Sequence, residues 1–152
     1  MTETIVFLGA FLAYTGLGIS TTLTWRGVFD RRLALGVALI VTAHVFGVWS
    51  HRYEWQFEQA VRNGYGGFLL FHTALTAINA ALFTPDRISR VLHRVAFVVV
   101  SMGAVGATFR YDVVSVYRIP VLFVLVLTVL AAFMFWIRAD PRADISHEPF
   151  RA

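Results

Sequence analysis

Four histidines lie between positions 44 and 93 of this chain: His44, His51, His72 and His93. The residues around them are almost wholly apolar. An imidazole among lipid-facing helices is costly unless something engages it. Such a group can ligate a haem iron, hold a copper ion, or hydrogen-bond to a neighbouring helix. There is no cysteine in the 152 residues, so disulfides, thiolate ligation and thiol redox chemistry are excluded. A metal would have to be held by imidazole, carboxylate, methionine or backbone groups. The chain carries no acidic dyad, no nucleophile–base pair and no phosphate-cradling glycine loop, which argues against a hydrolase or a kinase. It also lacks the embedded carboxylate and inverted repeat of a secondary transporter.

The elements that must position these histidines are read from composition. With 58% hydrophobic and 14% charged residues, this is the composition of a membrane domain. Apolar runs near the ~20 helical residues needed to cross a bilayer recur along it. The expected fold is all-α: a compact antiparallel bundle of five transmembrane helices in one domain, residues 1–138, over about 4–24, 33–50, 66–83, 88–109 and 120–137. The first residues lack a basic n-region and read as a retained helix rather than a cleaved signal. Gly9, Ala13, Gly16 and Ser20 in the first helix, and Gly103 and Ala107 in the fourth, are small residues that allow close helix approach. Residues 52–65 mix aromatic and charged side chains and suit an interfacial segment, ended by Gly64, Gly66 and Gly67. The last helix, apolar all round, is expected to face lipid. Residues 139–152 form a polar tail in which His147 reads as solvated.

Orientation follows from arginine, since the chain has no lysine. Arg26, Arg31, Arg32, Arg87, Arg90, Arg94, Arg138, Arg142 and Arg151 follow the first, third and fifth helices, against Arg52, Arg62, Arg110 and Arg118 on the other side. The positive-inside rule then places the N-terminus outside and the C-terminus in the cytoplasm of a bacterial or archaeal cell membrane. The net charge of +4 reflects that asymmetry and not nucleic-acid binding.

Helical rise ranks the histidines by depth. His44 and His72 each fall two to three residues outward from the middle of their helices, roughly 4 Å at 1.5 Å per residue. Matched depth on neighbouring helices is what a bis-imidazole haem or a shared ion requires. His51 lies further out at the interface, and His93, flanked by Arg90 and Arg94, is expected near headgroups on the opposite side. His72, Thr76 and Asn79 form a polar stripe that, in lipid, must face protein, water or a cofactor. Arg52, Arg110 and Arg118 could pair with haem propionates or with lipid phosphate. Met102 reads as packing rather than as a thioether ligand.

Phe46-Gly47-Val48-Trp49-Ser50-His51, the run from Tyr65 through His72 to Leu75, and Leu92-His93-Arg94 together resemble a family of small bacterial and archaeal membrane proteins. Some of its members are linked to haem–copper cytochrome oxidase assembly, including maturation of the copper site. The resemblance covers residues 46–94 and matches His51, His72 and His93. His44 has no counterpart in it, and Arg31-Arg32-Leu33 stands where the family tends to carry a further histidine. It implies metal binding by these histidines.

Two readings of function stay open. One is a cofactor-binding membrane protein, holding haem b or copper in the outer leaflet through His44 and His72, with Arg52 and Arg110 near the cofactor and with His51 and His93 as further metal candidates. Its role would be electron transfer, with quinol as a candidate donor, or oxidase assembly. The other is a non-catalytic accessory subunit of a larger respiratory or photosynthetic complex. Neither reading needs the chain to be a complete enzyme on its own, and the expected partners are the bilayer and other membrane subunits, not nucleic acid.

Overall fold

A computed structural model describes residues 3–62 and 64–138. The helices are α1 (Glu3–Trp25), α2 (Arg31–His51), a short α3 (Phe57–Val61), α4 (Tyr65–Ala80), α5 (Asp86–Arg110) and α6 (Arg118–Arg138). A 3-10 helix over Asp112–Tyr117 leads into α6, and no strand forms among the described residues. Four stretches are long and apolar enough to cross a membrane: Ile5–Trp25, Arg31–His51, Asp86–Arg110 and Asp112–Arg138. The sixteen residues of α4 rise about 24 Å, short of the ~30 Å of a typical hydrocarbon core.

Local chemistry explains where these bounds differ from the hydrophobic pattern. Helix α2 begins at Arg31, two residues before its apolar run, because the Asp30 carboxylate accepts the main-chain N–H groups of Arg32 at 2.9 Å and Leu33 at 3.1 Å. That is a side-chain N-cap. Helix α4 stops at Ala80, not residue 83. Leu82 and Phe83 donate instead to the carbonyls of Asn79 and Ala80, tightening the end before Pro85. Helix α6 starts at Arg118, since Pro120 in the first turn removes only an N–H that would have no intrahelical partner. The segment expected at the interface, 52–65, contains the single short turn of α3. The tail, including His147, Arg142 and Arg151, lies outside the described residues.

Helix α1 is the centre of the bundle, touching α2, α5 and α6, while α4 packs on α5 and α2. Tyr14, Leu17, Val37, Ala38, Ala77, Ile78, Ala96, Phe97 and Val121 form the core. Half of the buried apolar residues are alanines, whereas large side chains such as Leu39, Phe123 and Trp136 point outward. Small residues inside and large ones outside is the pattern of helices packed in lipid. Only 11% of the most apolar window of α6 is buried within the chain, against 33% for α1, so α6 is the lipid-facing helix that its composition implies.

Two glycines set how close α1 comes to its neighbours. A Cβ on Gly16 would lie 2.9 Å from Val37 Cγ2 of α2, and one on Gly18 would lie 2.9 Å from Thr128 Oγ1 of α6. Gly9, expected in the same stripe, meets nothing within 4 Å. The turn between α4 and α5 is fastened from both sides. Arg31 donates to the carbonyls of Leu82 and Thr84 and pairs with Asp86 at 2.8 Å. The buried Ser89 hydroxyl lies within hydrogen-bond reach of the carbonyls of Ala81, Thr84 and Pro85.

The glycine geometry makes a paired prediction. Gly16→Ala forces a methyl against a stiff β-branched side chain and should destabilise the protein by about 1–3 kcal/mol. Gly36→Ala, on the open side of α2 where nothing lies within 4 Å, should be neutral or stabilising by up to ~1 kcal/mol through helix propensity. Thermal unfolding in detergent, followed by circular dichroism, reads both. Equal effects at the two positions would contradict the close approach of α1 to α2.

Candidate functional site

The histidines of α2 and α4 sit in an aromatic cluster at one end of the bundle. On α2, His44 reaches α1: its Nδ1 donates to the Val6 carbonyl at 2.8 Å. On α4, His72 Nδ1 donates to the Phe68 carbonyl of its own helix at 2.8 Å. A carbonyl can only accept, so both rings carry hydrogen on Nδ1, and in the neutral form each Nε2 keeps a lone pair. The His44 ring meets Phe71 edge-on at 6.2 Å, which puts His44 level with the residue next to His72.

What surrounds them is aromatic carbon. The His72 ring lies 3.9 Å from Phe68, 5.8 Å from Phe71 and 6.3 Å from Trp49. Trp49 in turn stacks on Trp55 and meets Tyr53 and Phe68 edge-on. A sharp knuckle delivers Trp55: Glu54 and Trp55 both take positive φ, 48° and 61°, a region that costs ordinary residues on the order of 1–2 kcal/mol each. The Trp55 N–H closes onto the Trp49 carbonyl at 3.0 Å, folding the chain back over the end of α2. A pocket of about 310 Å³ results, lined by Val45, Phe46, Trp49 and Trp55.

Each residue of the polar stripe of α4 finds one hydrogen-bond partner on its own helix. His72 bonds to the Phe68 carbonyl, Thr76 to that of His72 and Asn79 to that of Leu75, each four residues back. This back-bonding lets a polar side chain sit in an apolar medium without a neighbour. His72 Nε2 and Asn79 Oδ1 have no hydrogen-bond partner among the described residues.

The donor chemistry of His44 and His72 suits a metal, since ligating imidazoles commonly donate their other nitrogen to a carbonyl. The space does not suit a porphyrin. Phe71 packs on His44, Phe68 on His72, and neither imidazole lines the 310 Å³ pocket. A haem between them fits only if these rings move. Nor do the four histidines converge: no group of three or more His, Cys, Asp or Glu side chains able to hold a metal forms among the described residues. His51 ends α2, exposed. Arg52 caps that helix, and Arg110 lies exposed over the Tyr111 ring at 5.6 Å. Arg118 donates to the Thr108 carbonyl at 3.1 Å and sits over Phe109.

His93 is the clearest correction. It does not face headgroups but is wholly buried between α5 and α1, its Nδ1 3.1 Å from Ser20 Oγ and its Nε2 without a partner among the described residues. Phe29 closes over it edge-on at 5.1 Å. Around it runs a polar seam joining α1 to α5. Tyr14 hydroxyl bonds Ser101 at 2.9 Å, Thr21 donates to the His93 carbonyl, and Arg94 donates to both the hydroxyl and the carbonyl of Thr24. Reading the histidine-rich stretch alone misses this seam. Its signal was the hydroxyl-rich end of the first helix, Ser20-Thr21-Thr22 and Thr24.

No protein-family model, no curated protein and no solved structure matches the chain.

The seam predicts a double-mutant cycle. Ser20→Ala leaves a buried imidazole with no side-chain partner and should cost about 1–3 kcal/mol. In a His93→Leu background, where no imidazole remains to be stranded, the same change should cost far less. Additive losses in detergent unfolding would mean that Ser20 and His93 do not act as a pair.

Proposed function

We propose that this chain is a five-span protein of a bacterial or archaeal cell membrane that serves as a non-catalytic subunit of a larger membrane complex. One observation carries the proposal. Most polar side chains of the bundle interior find a partner within the chain, on α4's own carbonyls or in the α1–α5 seam, with His93 Nε2 and the Thr128 hydroxyl among the exceptions, while the outer faces of α1, α2, α5 and α6 are large and apolar. Such a molecule presents surfaces for lipid and for other helices and no convergent reactive groups. The glycines at 9, 36 and 106, each with open space where a side chain would begin, are places where a partner helix can approach closely.

Five spans and an outside N-terminus are supported by how the ends meet. Helix α4 runs beside α5 and is joined to it by a short turn, which supports counting it as a span despite its length. Arg26 lies over Phe135, Arg31 pairs with Asp86, and Arg90 and Arg94 bond to Gly27 and Thr24. These contacts gather the arginine-rich segments at one end of the bundle, the cytoplasmic end by the positive-inside rule.

A second reading, haem b or copper held by His44 and His72 for electron transfer or oxidase assembly, is favoured by the shared Nδ1–carbonyl bonding that leaves both Nε2 atoms available. The family resemblance of residues 46–94 points the same way.

An absorption spectrum of detergent-purified protein with metal analysis separates the two. A non-catalytic subunit should show no reduced-minus-oxidised α-band and no stoichiometric metal, and His44→Ala and His72→Ala should cost only the ~0.5–1.5 kcal/mol of a lost hydrogen bond. An α-band that disappears in both variants would replace the proposal with the haem reading. Topology is testable cleanly because the chain has no cysteine. Phe83→Cys, at an 87% exposed position, should react with an impermeant maleimide only from the cytoplasmic side, and Glu58→Cys only from outside. Labelling of both from one side would remove α4 as a span.

A further inference from the structure

Beside the α1–α5 seam, a groove of about 760 Å³ opens between α1, α5 and α6. Its wall is mostly apolar, with Phe97, Val98, Met102, Val105, Leu125 and Val129 along it. Met102, 64% exposed, is thus part of a wall and not of the core.

Four polar side chains interrupt that wall; Thr21 and Ser101 are already bonded within the α1–α5 seam, and two features remain. The first is Arg94, which snorkels from the third turn of α5 to the end of α1. Its Nε bonds to Thr24 Oγ1 at 3.0 Å and its guanidinium lies 4.0 Å from the Trp25 ring centroid. Its partners are a hydroxyl, a carbonyl and an aromatic face, none of which neutralises its charge. Arg90, bonded to the Gly27 carbonyl, and Arg26, over Phe135, stand at the same end with equally neutral partners. The second feature is Thr128. It lines the groove at 5% exposure, and its hydroxyl makes no hydrogen bond among the described residues. Thr15, Thr22 and Thr76 all bond to the carbonyl four residues back, the usual recourse of a membrane-helix threonine. Thr128 does not.

The two features are spaced along α1. The Thr128 hydroxyl sits against Gly18 and Arg94 is held at Thr24, a separation of roughly 9 Å of helical rise. That arrangement suits a molecule with an anionic phosphate at one end of the groove, an ester carbonyl deeper in it, and a hydrocarbon chain along its apolar wall.

We propose that the groove between α1, α5 and α6 is a binding site for an anionic phospholipid, its phosphate on Arg94, an ester carbonyl accepting from Thr128, and an acyl chain against Val98, Met102 and Val105. Basic pockets between spanning helices recognise lipid headgroups by this combination of charge and cover. The proposal is independent of whether the chain serves a larger complex.

Native mass spectrometry of the full chain, titrated with phosphatidylglycerol or phosphatidylcholine of identical acyl chains, tests it. Phosphatidylglycerol should bind several-fold more tightly, and Arg94→Gln should erase that preference. Because Arg94 also braces α1, a second variant keeps the test decisive: Gly106→Leu. Gly106 lines the groove and has open space where its side chain would begin, so leucine should fill the groove and lower binding of both lipids at least fivefold without lowering the melting temperature. Arg87→Gln, on the same face outside the groove, should change nothing. Equal binding of the two lipids, or unchanged phosphatidylglycerol binding in Gly106→Leu, would overturn the site. Displacement of the lipid by equimolar inorganic phosphate would make it a free-anion site, and displacement by an uncharged quinone a quinone site; either would equally refute the proposal.

Discussion

Helix α1 can occupy the centre of this bundle only because Gly16 and Gly18 carry no side chains. Val37 of α2 presses on one, and Thr128 of α6 and Phe97 of α5 on the other, so α1 lies close enough to α5 for its hydroxyl groups to reach it. Every bond of the α1–α5 seam follows from that approach: Tyr14 to Ser101, Ser20 to His93, Thr21 to the His93 carbonyl, Thr24 to Arg94. The groove between α1, α5 and α6 lies beside the contact at Gly18, with Thr128 common to both. In lipid there is no hydrophobic force between helices, so contact distance and hydrogen bonding decide the assembly.

The elements were legible in the residues for physical reasons. Long apolar runs have few alternatives in a bilayer, and Thr84-Pro85-Asp86 is a plain stop. The shift of α2's start to Arg31 was also within reach, since Asp30 is a good N-cap, but the paired arginines read as loop. The histidine site was much less legible. His44 bonds to a main-chain carbonyl 38 positions away and His93 to a serine 73 positions away. Neither partner announces itself, because a carbonyl is present at every residue and a lone serine among small residues reads as packing. Periodicity could show that His72, Thr76 and Asn79 share a face. It could not show that each would turn a donor back onto its own helix.

Backbone strain marks the other end of the molecule. Glu54 and Trp55 hold positive φ without being glycine, and the compensation is local. The Trp55 N–H closes onto Trp49, and its ring stacks on Trp49 and meets Phe46 edge-on. Aromatic pairs of this kind contribute ~0.5–1.5 kcal/mol each beyond burial, comparable to the cost of the strained residues. The knuckle therefore exists to keep tryptophan over the end of α2, at the level where indole rings favour the membrane boundary. The same ring cluster reaches the half-buried His72, whose ring neighbours are Phe68, Phe71 and Trp49.

The two ends of the bundle thus solve different problems. One is closed by stacked rings around His44 and His72, where polar groups are silenced one by one. The other gathers guanidinium groups whose partners are carbonyls, hydroxyls and rings, and which keep their charge. A carbonyl satisfies a donor but leaves the cation in a medium that favours a counter-anion, and apart from Asp86 beside Arg31 and Asp30 capping α2, the described residues of this end supply little negative charge. The anion must then come from outside the described chain. In a membrane, the phosphates of the headgroup layer are the nearest source, and the one cation that opens onto an apolar groove, Arg94, is where such a phosphate can be held by a site rather than by a surface.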